Sequence, residues 1–422
     1  MNQIASKKRT INLSYLFIGL MLLCSSLVGV LPQNLISLAI MLSLVGLFFT
    51  DSIYLAYPFM LFYNELYGLF LGVSLYRIFT FIFLVSILIK FDVKKKVSFS
   101  KFLPIVVYLL FCIAVLSEIG IQSAVFAFVD VICVALFTSV LLDKEKAKKF
   151  FVVYTLVCFI AFLTGVALGI SMDYSTTDIE MYRFMATFED PNYMGMFYTI
   201  AVFAIVSLKL FLPKIRVIIV ILLYAMILSS LSVTAIIVNI ALWLVYLLIT
   251  EKLRLRTAFI VCGVAVILVG LYYYGLENPD TPVLGGLSYR LEEKLIMAET
   301  GDIGGVTTGR TDLTEEHLEY FNNLPFLKKL LGGTSANTKF VIPELGKAAH
   351  NEYVDMLLNV GIIGTVILLG YMIVRTCKYF IEYKKTKDNQ YLFVFMYKFI
   401  WILYATSLTM FIDHRFMMPF FI

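Results

Sequence analysis

One long apolar stretch decides how this chain must fold: residues 216–250 read RVIIVILLYAMILSSLSVTAIIVNIALWLVYLLIT. A helix needs about 20 apolar residues to cross a bilayer, so this stretch is too long for a single crossing. Its middle contains the polar patch SSLSVT at positions 229–234, which favours a tight turn. We therefore predict two spans, 216–231 and 232–250, joined at the outer face of a membrane.

The composition of the whole chain agrees with repeated membrane crossings. The 422 residues are 61% hydrophobic and only 15% charged, and their mean hydropathy is +0.90. We therefore expect an all-α polytopic membrane protein with about 13 transmembrane helices (about 12–14). The predicted spans are 11–31, 34–50, 53–71, 73–90, 102–117, 121–142, 150–171, 192–212, 216–231, 232–250, 257–275, 353–374 and 391–412.

The positions of the basic residues predict an orientation. Most of the 34 Lys and Arg residues fall in the segments 7–9, 90–101, 144–149, 209–216, 252–256 and 375–387. Cytoplasmic loops carry an excess of such residues, so the N-terminus is predicted to be cytoplasmic. A single helix over 216–250 would place the basic segment 252–256 outside, so the charges also favour two helices there.

The predicted spans divide the chain into three regions. Residues 1–275 hold the first eleven helices and an outer loop at 172–191, and residues 351–422 hold the last spans and a C-terminal tail. Between them, residues 276–350 form an extracytoplasmic loop domain. Loops longer than about 15 residues usually have a function, so this domain is where we expect activity.

Short helices are predicted within this loop domain. Residues 289–298 place three leucine or isoleucine side chains on one side, as is typical of an amphipathic helix at a membrane surface. Residues 312–315 read DLTE, a capping-box pattern, so a second helix is expected to begin at Asp312. The sequence DHRF at 413–416 fits either an outer tail or a re-entrant segment.

Three outer motifs contain residues that can carry chemistry. The first is Arg183-Phe184 followed by DPNYMG at 190–195, where Pro191 suits a first helical turn that Asp190 can cap. The second is Gly309-Arg310, whose guanidinium group can hold a phosphate in a bidentate manner. The third is HNEY at 350–353, where the imidazole of His350 can exchange protons near neutral pH.

Each motif alone also has a simpler interpretation. The first fits a capped helix whose Arg183 pairs with a nearby acid, the second a solvated arginine, and the third a histidine at a membrane interface. A different function is left open by charges inside the predicted spans, since Asp130 could relay protons in a transporter. Glu65 and Arg77 are expected to form a buried ion pair, and Lys398 is expected to extend toward the cytoplasm.

In this order, the three motifs resemble those of the O-antigen polymerase and ligase superfamily of membrane glycosyltransferases. The resemblance covers about residues 183–365, ends with GIIG at 361–364, and extends to the many-helix layout with one large late outer loop. One departure concerns a Ser-Arg pair that the family often has in the helix corresponding to 216–250. Here Ser232 is followed by Val233, so that helix offers no arginine at this position.

The resemblance implies both a substrate and a set of roles. The substrate is an oligosaccharide repeat unit linked through diphosphate to undecaprenol; His350 is the general base, and Arg183 and Arg310 bind the diphosphate. The supporting residues are Asp190, Asn192, Asn351 and Tyr353. No Asp-x-Asp motif and no Cys/His cluster with metal-ligand spacing occurs in the sequence, so we expect no metal and no cofactor.

We therefore expect a polymerase that assembles surface polysaccharide, O-antigen or capsule, on the outer leaflet of the inner or plasma membrane. Its expected partners are the lipid-linked oligosaccharide, membrane lipids, a flippase and a chain-length regulator, but no nucleic acid. The alternatives are a ligase that transfers the glycan to another acceptor, and a flippase or secondary transporter of the same lipid-linked units.

Overall fold

The protein is almost entirely helical. In the computed structural model, 78% of the described residues are helical, and the strands among them form two short hairpins. The residues described are 2–90, 102–114, 116–173, 182–250, 269–281, 283–307, 309–333, 349–410, 413 and 415–422, and the side chains only from 13 onward. The predicted basic segment 252–256, most of the predicted span 257–275, and His414 lie outside them.

Up to residue 250, the described residues contain ten helices and both hairpins. The helices are α1 Asn2–Ser26, α2 Gln33–Phe49, α3 Tyr57–Tyr63, α4 Leu75–Lys90, α5 Phe102–Ala114, α6 Leu116–Val140, α7 Lys144–Ala167, α8 Pro191–Ser207, α9 Pro213–Ser229 and α10 Val233–Thr250. A 3₁₀ turn, Ile53–Ala56, precedes α3. The antiparallel hairpins pair β1 Leu69–Phe70 with β2 Val73–Ser74, and β3 Ser171–Asp173 with β4 Tyr182–Phe184.

The second half contains several short helices before two long ones. The described helices are α11 269–277, α12 Leu284–Glu299, α13 Ile303–Val306, α14 Arg310–Asn323, α15 Phe326–Leu331, α16 Glu352–Thr386, α17 Asn389–Tyr404 and α18 Met418–Phe421. The helix predicted at 289–298 is therefore part of α12. The helix predicted to begin at Asp312 begins two residues earlier, because Gly309 takes the left-handed conformation (φ 75°) that ends the preceding turn.

Within the described residues, four helices are long and apolar enough to cross a membrane. They are Gly120–Val140, Lys144–Ala167, Val233–Thr250 and Glu352–Thr386. These four agree with predicted spans, but the predicted number of about 13 spans is wrong. Apolar sequence alone does not make a span: the region predicted as span 53–71 folds into a 3₁₀ turn, the short helix α3 and the first strand of a hairpin.

The break predicted inside residues 216–250 is confirmed. Helix α9 ends at Ser229 and α10 begins at Val233, although only α10 reaches the length of a membrane span. Between them Leu231 adopts a positive φ of 48°. The hydroxyl groups of Ser229 and Ser230 donate to carbonyls three residues earlier, at 2.7 and 2.6 Å, and so help to close the last turn of α9.

Helix α16 is bent at Gly361, where a short helix packs into the bend. Gly361 has φ 68°, and a Cβ atom there would lie 2.3 Å from the carbonyl oxygen of Leu330 in α15. The amide of Gly333 donates to the carbonyl of Asn359 at 2.9 Å. Gly361 therefore allows α15 to pack closely against α16, and this contact holds the N-terminal part of α16 in place.

Two expectations about charges inside the bundle are wrong. Arg77 pairs with Asp130 at 2.6 Å rather than with Glu65, and its guanidinium also lies over the ring of Phe126. Lys398, expected to extend toward the cytoplasm, is fully buried and donates to the carbonyl of Pro419. That carbonyl belongs to a C-terminal segment that folds back against α6, α16 and α17, as expected for the re-entrant alternative.

Candidate functional site

The turn between α9 and α10 is the point where arginines from three distant segments meet. The Nε of Arg183, in β4, donates to the carbonyl of Ser230 at 3.1 Å. Arg290, in α12, donates to the carbonyl of Leu231. Arg310, the first residue of α14, donates through Nη1 to the hydroxyl of Thr234 at 3.2 Å. We call Ser230–Thr234 the arginine turn.

The local structure explains why this turn accepts cations. The last carbonyls of a helix lack partners within the helix and carry the negative end of its dipole. Ser230 is the C-cap of α9, so its carbonyl belongs to this group. Guanidinium groups satisfy such carbonyls well because they present several donors in one plane. The break in the apolar stretch thus creates the binding place for the arginines.

The N-termini of α8 and α10 are joined beside this turn. Asp190 caps α8 by accepting from the amide of Asn192 at 2.6 Å, and Pro191 occupies the first turn, which confirms the predicted cap. The hydroxyl of Ser232 donates to the Oδ1 of Asn192 at 2.6 Å and accepts from the amide of Ala235 at 3.1 Å. Two helix N-termini, which favour anions, therefore lie side by side.

Arg310 connects this region to the loop domain. Gly309 is the left-handed N-cap of α14, and its amide donates to the carbonyl of Gly304 at 2.7 Å. Burial lowers the pKa of the Arg310 guanidinium, while the negative charge of Asp190 acts in the opposite direction. Arg310 and the N-cap of α8 are therefore electrostatic neighbours.

His350 occupies the entrance to α16, as the sequence predicts. It takes a left-handed conformation (φ 49°), and the next residue, Asn351, caps α16 by accepting from the amide of Tyr353 at 3.1 Å. Burial lowers the pKa of the imidazole below 6.5, and the positive charge of Arg310 lowers it further, whereas Asp190 raises it. The shift favours the neutral imidazole, the form that can accept a proton.

The predicted site residues thus lie in one region, but they contact different parts of it. Besides burial, the charges of Arg310 and Asp190 both act on the pKa of His350, and Asp190 also acts on that of Arg310. Arg183 is buried beneath the arginine turn, and Asn192 reaches the same turn through Ser232. Tyr353 differs, because its hydroxyl donates to the carbonyl of Ile402 in α17 at 2.7 Å. It therefore fixes α16 to its neighbour rather than facing the arginines.

Arg290 was not predicted from the sequence. In α12, Leu295 and Ile296, the predicted apolar side, are exposed, while Arg290 is buried at 4% exposure. The one available signal was its spacing of four residues from Lys294, which places two cations on one side of a helix. Among the described residues, no three His, Cys, Asp or Glu side chains lie together as a metal site would require.

The fold and the site define the class of this protein: it is a predominantly helical protein with helices long and apolar enough to cross a membrane, and arginines from three segments meet at the turn between α9 and α10. In comparisons with known proteins, no protein-family model and no curated protein sequence matches the chain.

Proposed function

We propose that the protein is a membrane glycosyltransferase that polymerises undecaprenyl-diphosphate-linked oligosaccharide repeat units into surface polysaccharide. The observation that carries the proposal is that Arg183 and Arg310 both bond to the arginine turn, while α14, which Arg310 begins, packs through Phe321 against the start of α16, where His350 lies. A group able to accept a proton and groups able to hold an anion are the two elements that glycosyl transfer from a lipid diphosphate requires.

The reaction assigns a role to each group. The acceptor hydroxyl attacks the anomeric carbon, its proton passes to the neutral imidazole of His350, and the new C–O bond forms as the bond to the lipid diphosphate breaks. Negative charge grows on the leaving diphosphate, where Arg310 and Arg183 stabilise it. A single displacement inverts the anomeric centre. No metal is needed, since the arginines supply the positive charge.

The proposal includes the orientation that the basic segments predict. The N-terminus is cytoplasmic, the site is extracytoplasmic at the outer leaflet of the inner or plasma membrane, and membrane lipids surround the spans. A flippase supplies the substrate and a chain-length regulator is a further partner. The transporter alternative is weakened because Asp130, the residue that could relay protons in a transporter, is ion-paired with Arg77 at 2.6 Å.

The proposal is tested in cells by replacing His350 with alanine and analysing the surface glycan. We expect single repeat units in place of long chains, at normal protein abundance. Lys328→Ala is the control, because it removes a side chain from the same loop domain but from the exposed helix α15. Complete polymer that stays on its lipid carrier would instead indicate a ligase, and unchanged glycan in His350→Ala would refute the catalytic role.

A further inference from the structure

We propose that Arg290 is a third cation of the anion site and gives that site its preference for a diphosphate over a monophosphate. The inference rests on the function proposed above, because it concerns the same ligand. It goes further in assigning a residue that the sequence motifs do not contain, and in assigning a selectivity.

The position of Arg290 carries the first part of the argument. Its Nη1 donates to the carbonyl of Leu231. Leu231 directly follows Ser230, which accepts from Arg183, and lies three positions before Thr234, which accepts from Arg310. One short turn thus gathers three guanidinium groups. A bond between residues 59 positions apart in sequence places the loop domain directly on the junction of α9 and α10.

The charges carry the second part. Arg290 and Arg310 bond to the same short turn, so the two cations are close in space. Burial lowers the pKa of Arg310, and the positive charge of Arg290 lowers it further, whereas Asp190 raises it. Burial also lowers the pKa of Lys294; Arg290 and Arg310 add to this effect, and Glu293 and Asp302 oppose it. Like charges at close range disfavour one another, most strongly where water is partly excluded. A ligand with two adjacent phosphate groups relieves this repulsion more fully than a ligand with one. The site therefore favours a diphosphate.

The packing of α12 explains why Arg290 is held there. The residues that α12 buries near its start are small, Gly285, Gly286 and Ser288. A Cβ atom on Gly285 would lie 2.1 Å from the carbonyl oxygen of Pro279, so the first turn of α12 packs directly against the turn that precedes it. One turn after Arg290, Lys294 donates to the carbonyl of Gly305 and ties α12 to α13.

The position of Arg290 compensates for the arginine that α10 lacks at Val233. Val233 is the first residue of α10 and supplies no charge, whereas Arg290 brings a guanidinium group to the adjacent Leu231 from another part of the chain. Val233 lies within the arginine turn and is only partly buried, so an arginine introduced at this position would extend its side chain from the same turn. An arginine at position 233 can therefore be tested for its ability to replace the charge lost when Arg290 is substituted.

The test measures the affinity of the purified full-length protein in detergent for undecaprenyl diphosphate and undecaprenyl monophosphate, by ligand-dependent shifts of the melting temperature. Arg290→Gln is expected to weaken binding of the diphosphate about tenfold or more, the usual size of a lost charge-assisted hydrogen bond, and binding of the monophosphate less. Val233→Arg combined with Arg290→Gln should restore part of the preference. Lys328→Gln, which removes an outer charge from exposed α15, should leave it unchanged.

The outcomes separate this inference from the proposed function. A wild-type protein that binds both lipids equally refutes the proposed diphosphate site as a whole. A wild-type preference that Arg290→Gln leaves intact refutes only the role of Arg290. If Arg290→Gln does not fold, Arg290→Lys takes its place: it keeps the charge and should keep the preference, and equal affinities in that folded variant would overturn the inference.

Discussion

The hydroxyl of Ser232 donates a 2.6 Å hydrogen bond to the side-chain oxygen of Asn192, and this bond joins the N-termini of α10 and α8. Both residues are at least 95% buried. Because Asn192 also follows the cap residue Asp190, one hydrogen bond connects the arginine turn to the first outer motif. The geometry of the candidate site depends on this connection.

Replacing Ser232 with alanine should therefore destabilise the protein and lower its activity together. The change leaves a buried amide oxygen without this donor and removes the side-chain acceptor from the amide of Ala235, a loss of about 1–3 kcal/mol. Thermal unfolding in detergent measures the effect. Ser26→Ala is the control, because Ser26 is exposed and bonds only locally to Leu23. Equal melting temperatures for the two variants would contradict the prediction.

The rate of the wild-type protein should fall in acid as His350 becomes protonated. Burial and the positive charge of Arg310, with a smaller contribution from His317, lower the pKa of the imidazole, while Asp190 raises it. The neutral base is therefore lost as the pH falls through a pKa below the usual value for histidine. A profile of kcat/KM against pH reports this pKa in the free enzyme.

Two variants should move that acid limb in opposite directions. Arg310→Gln removes a charge that lowers the pKa of His350, so the limb of its residual activity should move to higher pH. Asp190→Asn removes a charge that raises this pKa, so the limb should move to lower pH. Asparagine caps helices about as well as aspartate, so α8 should remain intact. Shifts of the same sign in both variants would contradict the assignment.

Breaking the ion pair between Arg77 and Asp130 should affect stability more than catalysis. Arg77→Ala leaves a carboxylate with a side-chain exposure of 8% beside a partly exposed position. The expected loss lies between the roughly 1 kcal/mol of exposed pairs and the roughly 3–5 kcal/mol of buried ones. The double variant with Asp130→Asn should lose less than the sum of the single variants. Loss of polymerisation in a fully stable Asp130→Asn variant would revive the transporter alternative.

Gly361 and Gly370 offer a matched pair within α16. Alanine at Gly361 would have to adopt an unfavourable positive φ, and its Cβ atom would clash with the Leu330 carbonyl. The change should therefore disturb the packing of α15 against α16 and the start of α16. At Gly370 nothing lies within 4 Å of an added Cβ atom, and alanine there should stabilise the helix by up to about 1 kcal/mol. Melting temperatures of the two variants test this contrast. A stable Gly361→Ala protein would show that the bend is not required.

Local signals allowed part of this structure to be predicted from the sequence. The polar patch at 229–234 and the cap at Asp190 were predictable, because each depends on residues next to one another. The start of α14 was displaced because the left-handed Gly309 overrode the capping pattern at Asp312. The predicted number of spans was wrong because hydropathy measures the length of an apolar stretch and does not show where a helix such as α3 ends.

Contacts between distant segments could not be predicted in this way. The sequence offered Glu65 as the partner of Arg77, yet the structure brings Asp130 there from 53 positions away. Arg290 lies 59 positions from Leu231, and no single motif contains both. The three arginines become one site only after α12, α14 and β4 have packed against the same turn.

The most direct test of the central claim is the rate at which purified protein converts lipid-linked oligosaccharide in the presence of EDTA. The wild-type protein should form polymer and release undecaprenyl diphosphate. His350→Ala should be slower by a factor of about 10²–10⁴, the usual contribution of a general base. Full activity of His350→Ala, or no turnover by the wild-type protein, would contradict the account.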